Sequence, residues 1–339
     1  MPRAIRSRGA VGPVGGTSSG EDILRGLTLV ELLVVLAVIG LVVTLAVPAL
    51  SRAIARGQVT KCTNNQYQLA FALMRHDDKQ GAVPGWLNSS PNDDPSNPTK
   101  PACTWTIPML PFLGRSDIYD TWPLLPNDPT IDTFLCPSNR PGRGVDYAAL
   151  SYAANAGAGG KDGDDGVFVD IFTKYASSTP GSTAAPKPLT PVSLDVIAEA
   201  DGTSTTLAFA EKAALGFQPH SWAYKSAAAP QGSPFGAGQA LPPIYGVATP
   251  PGPVFPVLNT GSTHGFAPAS THDGGVVVAF CDGHTAFLGN KLQPYEYAQL
   301  LTRRSRWQGA TNKTNSPAMQ PWLLRSGQPY LLDEKILKQ

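Results

Sequence analysis

Residues 26–50 read G-L-T-L-V-E-L-L-V-V-L-A-V-I-G-L-V-V-T-L-A-V-P-A-L. From Leu32 to Val47 the only polar side chain is Thr44, and no residue is charged. With Leu27–Val30 and Ala49–Leu50, the run approaches the ~20 apolar residues that span a bilayer. Glu31 stands near its start, where an ionisable group is costly and is by default a candidate for function. A Sec-type signal peptide is the competing reading, with a small-x-small cut near Thr44-x-Ala46 or Ala46-x-Pro48. That reading leaves Glu31 without a purpose.

Outward from this run, the N-terminal flank is basic. Arg3, Arg6, Arg8 and Arg25 face Glu21 and Asp22, a net of +2, which leaves −1 for the rest of a chain whose total is +1. A Gly/Ser-rich leader of this sign stays on the cytoplasmic side, and the chain beyond Pro48 goes outside. On the C-terminal flank the helical pattern continues. Val59, Cys62, Gln66, Leu69 and Leu73 recur at spacings of three and four, a mostly apolar stripe. The sequence therefore predicts one helix from Leu27 to roughly His76, apolar all round in its first half and amphipathic in its second. Pro48 removes one backbone hydrogen bond near the join, so a kink is expected there.

The segment G-L-T-L-V-E-L-L-V-V-L-A-V-I-G resembles the N terminus of type IV prepilins and type II secretion pseudopilins. The resemblance implies that a membrane prepilin peptidase cuts between Gly26 and Leu27 and that Leu27 is then N-methylated. It also implies that Glu31 pairs with the new α-amine of a neighbouring subunit and sets axial register. The implied partners are the peptidase/methylase, other pilin-like subunits and the inner membrane, with the N terminus cytoplasmic and the C-terminal domain outside. Residues 1–26 are then a leader, 27–50 a transmembrane and assembly helix, and 51–80 its amphipathic continuation. Residues 81–305 form the outer domain, and 306–339 a tail.

The outer region is rich in Gly (34 in the chain) and Pro (33), which argues for long loops around strands rather than a helical bundle. "GAVPGWLNSSPNDDPSNPTKPACT", "SSTPGSTAAPKPLTP" and "AAAPQGSPFGAGQALPPIYGVATPPGPVF" read as surface loops or insertions. Candidate strands are Gly166–Phe172, Thr205–Glu211, Gly275–Cys281 and His284–Leu288. Asp282-Gly283 joins the last two as a type I′ hairpin turn.

These pieces carry a second resemblance, to a large family of uncharacterised prepilin-like proteins. Its marks stand here as Cys62-Thr63-Asn64-Asn65 with Ala72, Cys136-Pro137-Ser138, Ser151-Tyr152-Ala153-Ala154-Asn155, Asp201 through Glu211, and His272-x9-Asp282-Gly283. The resemblance implies an α+β, pilin-like fold with a long N-terminal helix packed on an antiparallel sheet. It implies no activity.

Glu211, His272, Asp282 and His284 are suitable types for a metal or an acid/base pair. The plainer reading gives them structural work: a hairpin at Asp282-Gly283, a loop capped by His272, and backbone amides or an arginine held by Glu211. No H-E-x-x-H, G-x-S-x-G or phosphate-loop pattern is present, so no enzyme activity and no catalytic residue are expected. Asp162, Asp164 and Asp165 in "KDGDDG" could hold Ca²⁺, as an outer loop of some pseudopilins does, but a solvated turn with no cofactor is the simpler expectation.

Four cysteines allow three pairings, and sequence does not choose. Bridging Cys103 and Cys136 would staple two Pro-rich loops, while Cys62 and Cys281 suit buried thiols. There is no C-x-x-C, which argues against a redox enzyme or a zinc ribbon. A net charge near zero and no basic stripe argue against a nucleic-acid partner. Three classes remain: a pilin-like structural subunit, a membrane-anchored binding module that forms no fibre, and an exported enzyme using the His/Asp/Glu set.

Overall fold

The computed structural model describes residues 28–91, 102–122, 129–139, 149–157, 166–169, 171–172, 190–212, 268–290, 292, 297 and 300–303, with short strand pieces at 220–221, 225–226, 244–245, 324–325 and 328–329. Gly26, Leu27 and the Asp162, Asp164 and Asp165 group lie outside the described residues. The chain divides into two units, Met1–Arg52 and Ala53–Gln339.

Helix α1 covers Leu29–Gln80, 52 residues, as the apolar run and the stripe behind it predict. At about 1.5 Å per residue it is roughly 78 Å long. Thr28 is its N-cap. The Thr28 amide and hydroxyl donate to Glu31 Oε2 at 2.8 and 2.9 Å, and the Glu31 amide donates to Thr28 Oγ1 at 3.2 Å. This is a reciprocal capping box, a local use of Glu31 that the T-L-V-E spelling announces. Every residue from 28 to 57 is exposed. Among the described residues α1 is the one helix long and apolar enough to cross a membrane. The helix continues unbroken past Pro48. Nearby hydroxyls return to the backbone, Thr44 to the Leu41 carbonyl and Ser51 to the Val47 carbonyl.

The second unit is α+β. After α1 come β1 (Leu87–Ser89), β2 (Ala102–Thr104), α2 (Thr106–Met109), a 3₁₀ turn (Leu110–Leu113), α3 (Ser116–Thr121), a second 3₁₀ turn (Asp132–Phe134), β3 (Ala149–Leu150) and β4 (Tyr152–Asn155). Further along the chain lie α4 (Leu194–Glu199), β5 (Leu207–Glu211), β6 (His220–Ser221), β7 (Lys225–Ser226), β8 (Ile244–Tyr245), β9 (Gly275–Phe280), β10 (Thr285–Gly289), β11 (Leu324–Arg325) and β12 (Gln328–Pro329). The main sheet has the order β10-β9-β5-β4-β8, antiparallel except for the parallel β4–β8 pair.

The central strands are buried on both faces, which is why β9 reads as a continuous run, G-V-V-V-A-F, rather than an alternation. One face places Tyr152, Ala154, Phe209, Val277 and Ala279 in a core with Leu69 and Leu73 of α1. The other places Ala153, Leu207, Ala210, Val276, Val278 and Phe280 against Tyr297, Leu300 and Leu301. Trp105, wholly buried, joins the first core, with its ring centroid 5.0 Å from Phe209 and 6.1 Å from Phe168.

Several sequence expectations change. Residues 81–104, read as a loop, contain β1 and β2, which pair as Leu87↔Thr104 to Ser89↔Ala102. Strands of three residues are too short to leave a periodic signal, and packing makes them. Within residues 227–255, also read as loop, Ile244 and Tyr245 pair with β4. Conversely, Gly166–Phe172 is not a strand among its described residues. Val167, Phe168 and Val169 are buried, and single backbone bonds (Phe168 N to Asn155 O, Trp86 N to Val169 O) replace a ladder. The β9–β10 hairpin forms as expected, but its loop is three residues, Cys281-Asp282-Gly283, rather than a two-residue I′ turn. Gly283 N donates to Phe280 O, Phe280 N donates to His284 O, and Gly283 has φ +92°. The Asp282 carboxylate takes the His284 amide at 3.0 Å, which favours the wider loop.

At the far end of this hairpin Gly275 pairs with Gly289. A Cβ on Gly275 would collide with the Leu288 carbonyl and lie 2.7 Å from Phe287 Cε1. Gly275→Ala should therefore destabilise the protein by about 1–3 kcal/mol through overpacking. Thermal melting of the detergent-solubilised chain checks this; an unchanged midpoint would contradict it.

Candidate functional site

Four buried side chains from four distant parts of the chain meet beneath α1. Cys62 lies on the buried stripe of α1, at the position that faces the sheet two turns before Leu69. Cys136 comes just after the second 3₁₀ turn, Glu211 ends β5, and His272 precedes β9. One ligand-type atom from each lies within 4.8 Å of all the others. His272 Nε2 is the hub: it is 3.1 Å from Glu211 Oε1, 3.3 Å from Cys62 Sγ and 3.5 Å from Cys136 Sγ. The two sulfurs are 2.7 Å apart.

Each member is held from behind. Asn65, one helical turn after Cys62, donates from Nδ2 to the Leu135 carbonyl at 2.8 Å and to the Tyr152 hydroxyl at 3.2 Å, fixing the segment that delivers Cys136. Gln66 donates to the Val277 carbonyl at 2.6 Å and fastens α1 to β9. Beyond the end of the β5–β9 ladder, the Val277 amide donates to Glu211 Oε2 at 2.9 Å, which leaves Oε1 for His272. The His272 amide donates to Ser270 Oγ at 3.0 Å. Thr271 donates to Ser138 Oγ at 2.7 Å, and Ser138 Oγ is 3.0 Å from Cys136 Sγ.

The charges are set by this packing. Burial pushes the Glu211 carboxyl up, but the hydrogen bond and charge of His272 and the Val277 amide outweigh it and hold the group below the usual carboxylate range. The hydrogen bond to Glu211 raises His272 against its own burial. The Cys62 thiol donates to Cys136, which pushes Cys62 up and Cys136 down. Just after β5, burial pushes the Lys212 ammonium down to about 7. The result is a dry cluster of two sulfurs, a carboxylate and an imidazole, a donor set that could hold a soft or borderline metal ion or join its sulfurs.

The sequence-predicted residues divide accordingly. Glu211 and His272 come together, and Glu211 takes a backbone amide, as the structural reading expected. Asp282 and His284 do not join them: they form their own exposed pair, His284 Nδ1 to Asp282 Oδ1 at 2.6 Å, at the hairpin tip. Cys136 stands against Cys62 rather than Cys103. The Cys103 thiol points to the Ser89 carbonyl at 3.5 Å, and all four cysteines are free thiols. Of the pairings left open by the sequence, Cys103–Cys136 is not formed in the structure, where Asn65 Nδ2 holds the Leu135 carbonyl, next to Cys136, against α1. By its sequence alone Cys62 suits an ordinary buried thiol. The available signal was its neighbours Asn65 and Gln66, amides on an apolar stripe that had to find buried partners.

The fold and the cluster define an α+β protein with a membrane-length first helix and a buried Cys₂-His-Glu centre under its second half. The chain belongs to the family described as a protein of unknown function (DUF1559), whose sequence model matches residues 52–294. That span includes all four cluster residues and omits the apolar half of α1. No curated protein and no solved structure matches the chain.

Truncating the Glu211 side chain should cost more than neutralising it. Glu211→Ala leaves His272 and the Val277 amide without their buried partner and should cost about 3–5 kcal/mol. Glu211→Gln keeps an acceptor for Val277 and should cost clearly less. Urea unfolding of the two variants checks this; equal losses would show that the amide bond carries little.

Proposed function

We propose that this chain is a prepilin-like, membrane-anchored structural subunit. It is processed between Gly26 and Leu27, methylated at Leu27, and assembled through its N-terminal helix in a type II secretion-like or type IV pilus-like system. The observation that supports this most is the first half of α1. It is apolar on every side and exposed throughout, with a single carboxylate, Glu31, within its first turn. A surface of that kind is satisfied by lipid or by like helices packed side by side.

Glu31 fits both its local and its proposed roles. Both Thr28 bonds fall on Oε2. Oε1 is then the oxygen for a neighbour's α-amine, created when the leader is removed. Such a pair offsets the burial of both charges and fixes the axial stagger between subunits. The basic leader places the N terminus on the cytoplasmic side and the α+β unit outside.

Intact-mass analysis of the chain from native membranes, beside a Gly26→Ala variant, tests the processing. The expected masses begin at Leu27 in the wild type, with a methyl group, and retain the leader in Gly26→Ala. A mature chain starting beyond Ala46 would replace this reading with secretion by a signal peptide. An uncut chain would leave a simple membrane anchor.

Glu31→Gln separates cap from charge, because glutamine still closes a capping box but cannot pair with an amine. It should remain in the membrane at wild-type levels and yet fail to co-sediment in a sheared filament fraction. Normal filament recovery by Glu31→Gln would reduce Glu31 to a helix cap.

A further inference from the structure

We propose that Cys62, Cys136, Glu211 and His272 bind one Zn²⁺ ion as a closed structural site. Two thiol sulfurs and a carboxylate oxygen converge on a single imidazole nitrogen within 3.1–3.5 Å. The Cys62 S–H is given to Cys136, and the one N–H on Nε2 can serve only one of the three atoms around it. A cation at their centre satisfies all four at once. A Cys62–Cys136 disulfide would use the sulfurs but would not explain why a buried carboxylate and an imidazole are aimed at the same point.

The donor chemistry selects the ion. Two thiolates exclude hard cations such as Ca²⁺ and Mg²⁺, and the carboxylate disfavours Cu(I). Four protein ligands of mixed S, N and O type suit tetrahedral zinc. With Zn–S near ~2.3 Å and Zn–N or Zn–O near ~2.0–2.1 Å, ligand atoms lie ~3.2–3.8 Å from one another. The Nε2 distances already match. The sulfurs must part by about 1 Å, within reach of small χ1 rotations of two cysteines.

Binding releases to solvent one proton from each thiol and the Nε2 proton that His272 shares with Glu211, and His272 keeps its remaining proton on Nδ1. The ion is held by two thiolates, Glu211 Oε1 and the neutral His272 through Nε2, for a net charge of −1. The outer contacts are already in place: the Val277 amide turns the carboxylate, and Ser138 Oγ lies 3.5 Å from His272 Nδ1 and 3.0 Å from Cys136 Sγ. All four positions are protein groups and all are buried, so no place remains for a substrate. The ion would clamp α1 to β5, to the start of β9 and to the Cys136 segment.

The test uses the full chain, purified from membranes in detergent without chelator. Metal content is read by inductively coupled plasma mass spectrometry. Thiols are counted by alkylation and peptide mass, after denaturation in EDTA and without reductant. About one zinc per chain is expected, with all four cysteines alkylated. Cys62→Ser and Cys136→Ser should lose the metal, and Cys103→Ser and Cys281→Ser should keep it. Exchange of wild-type zinc for Co²⁺ should give a thiolate-to-cobalt charge-transfer band. Glu211→Gln, which keeps the Val277 contact, should still fold but bind zinc at least about tenfold more weakly. A Cys62–Cys136 disulfide in the purified chain would overturn the proposal. So would four free thiols without zinc, or undiminished zinc in the Cys62→Ser/Cys136→Ser double variant.

Discussion

A buried carboxylate organises the folded unit. Glu211 and His272 have side chains only 2 % and 3 % exposed and face each other at 3.1 Å. An ionised carboxylate in that position, stripped of water, costs several kcal/mol unless the fold supplies compensation. Here the compensation comes from three groups. His272 and the Ser270 hydroxyl arrive from the segment before β9, and the Val277 amide from β9 itself. Each must be in register for the others to be satisfied, so the cluster fixes how the helix lies on the sheet.

The polar groups next to the cluster extend the same logic. Asn65 and Gln66 are wholly buried on α1, and each gives its amide to a backbone carbonyl of another element. Asn155 does likewise at the end of β4. Its Nδ2 donates to the Leu207 and Leu301 carbonyls at 2.7 and 2.8 Å, and its Oδ1 accepts from Gly157 N at 2.8 Å. Apolar packing of Leu69, Leu73, Phe209 and Trp105 supplies most of the drive to bury α1, but it tolerates sliding. Hydrogen bonds to single carbonyls do not. The spelled motifs C-x-N-N, C-P-S and S-Y-x-x-N are therefore one joint seen from three places in the chain.

The two halves of α1 obey different rules. From Cys62 onward it is buried on one side, where the Asn65 and Gln66 side-chain N–H groups reach carbonyls of other segments. Before Arg52 it is exposed on all sides, with no charge after Glu31. A single helix thereby carries both a membrane-length surface and one member, Cys62, of the buried cluster.

The local features are written in the sequence. Period and composition gave α1 to within a few residues at either end, because a long apolar run leading into a three-four stripe has no other regular solution. The apolar stretches before and after Asp282-Gly283 gave β9 and β10. The T-x-x-E spelling was there to be read as a cap. What it left to the tertiary structure was convergence. Cys62, Cys136, Glu211 and His272 are separated by stretches of sixty to seventy-five residues, and no periodicity relates positions that far apart. Each was visible as a cysteine, a strand end or a loop histidine. Only the closing of β5 against β9, with α1 laid across them by Asn65 and Gln66, makes them neighbours. The same holds for β1, β2 and β8: strands of two or three residues exist because a partner is within hydrogen-bonding distance, which is a property of the fold and not of their spelling.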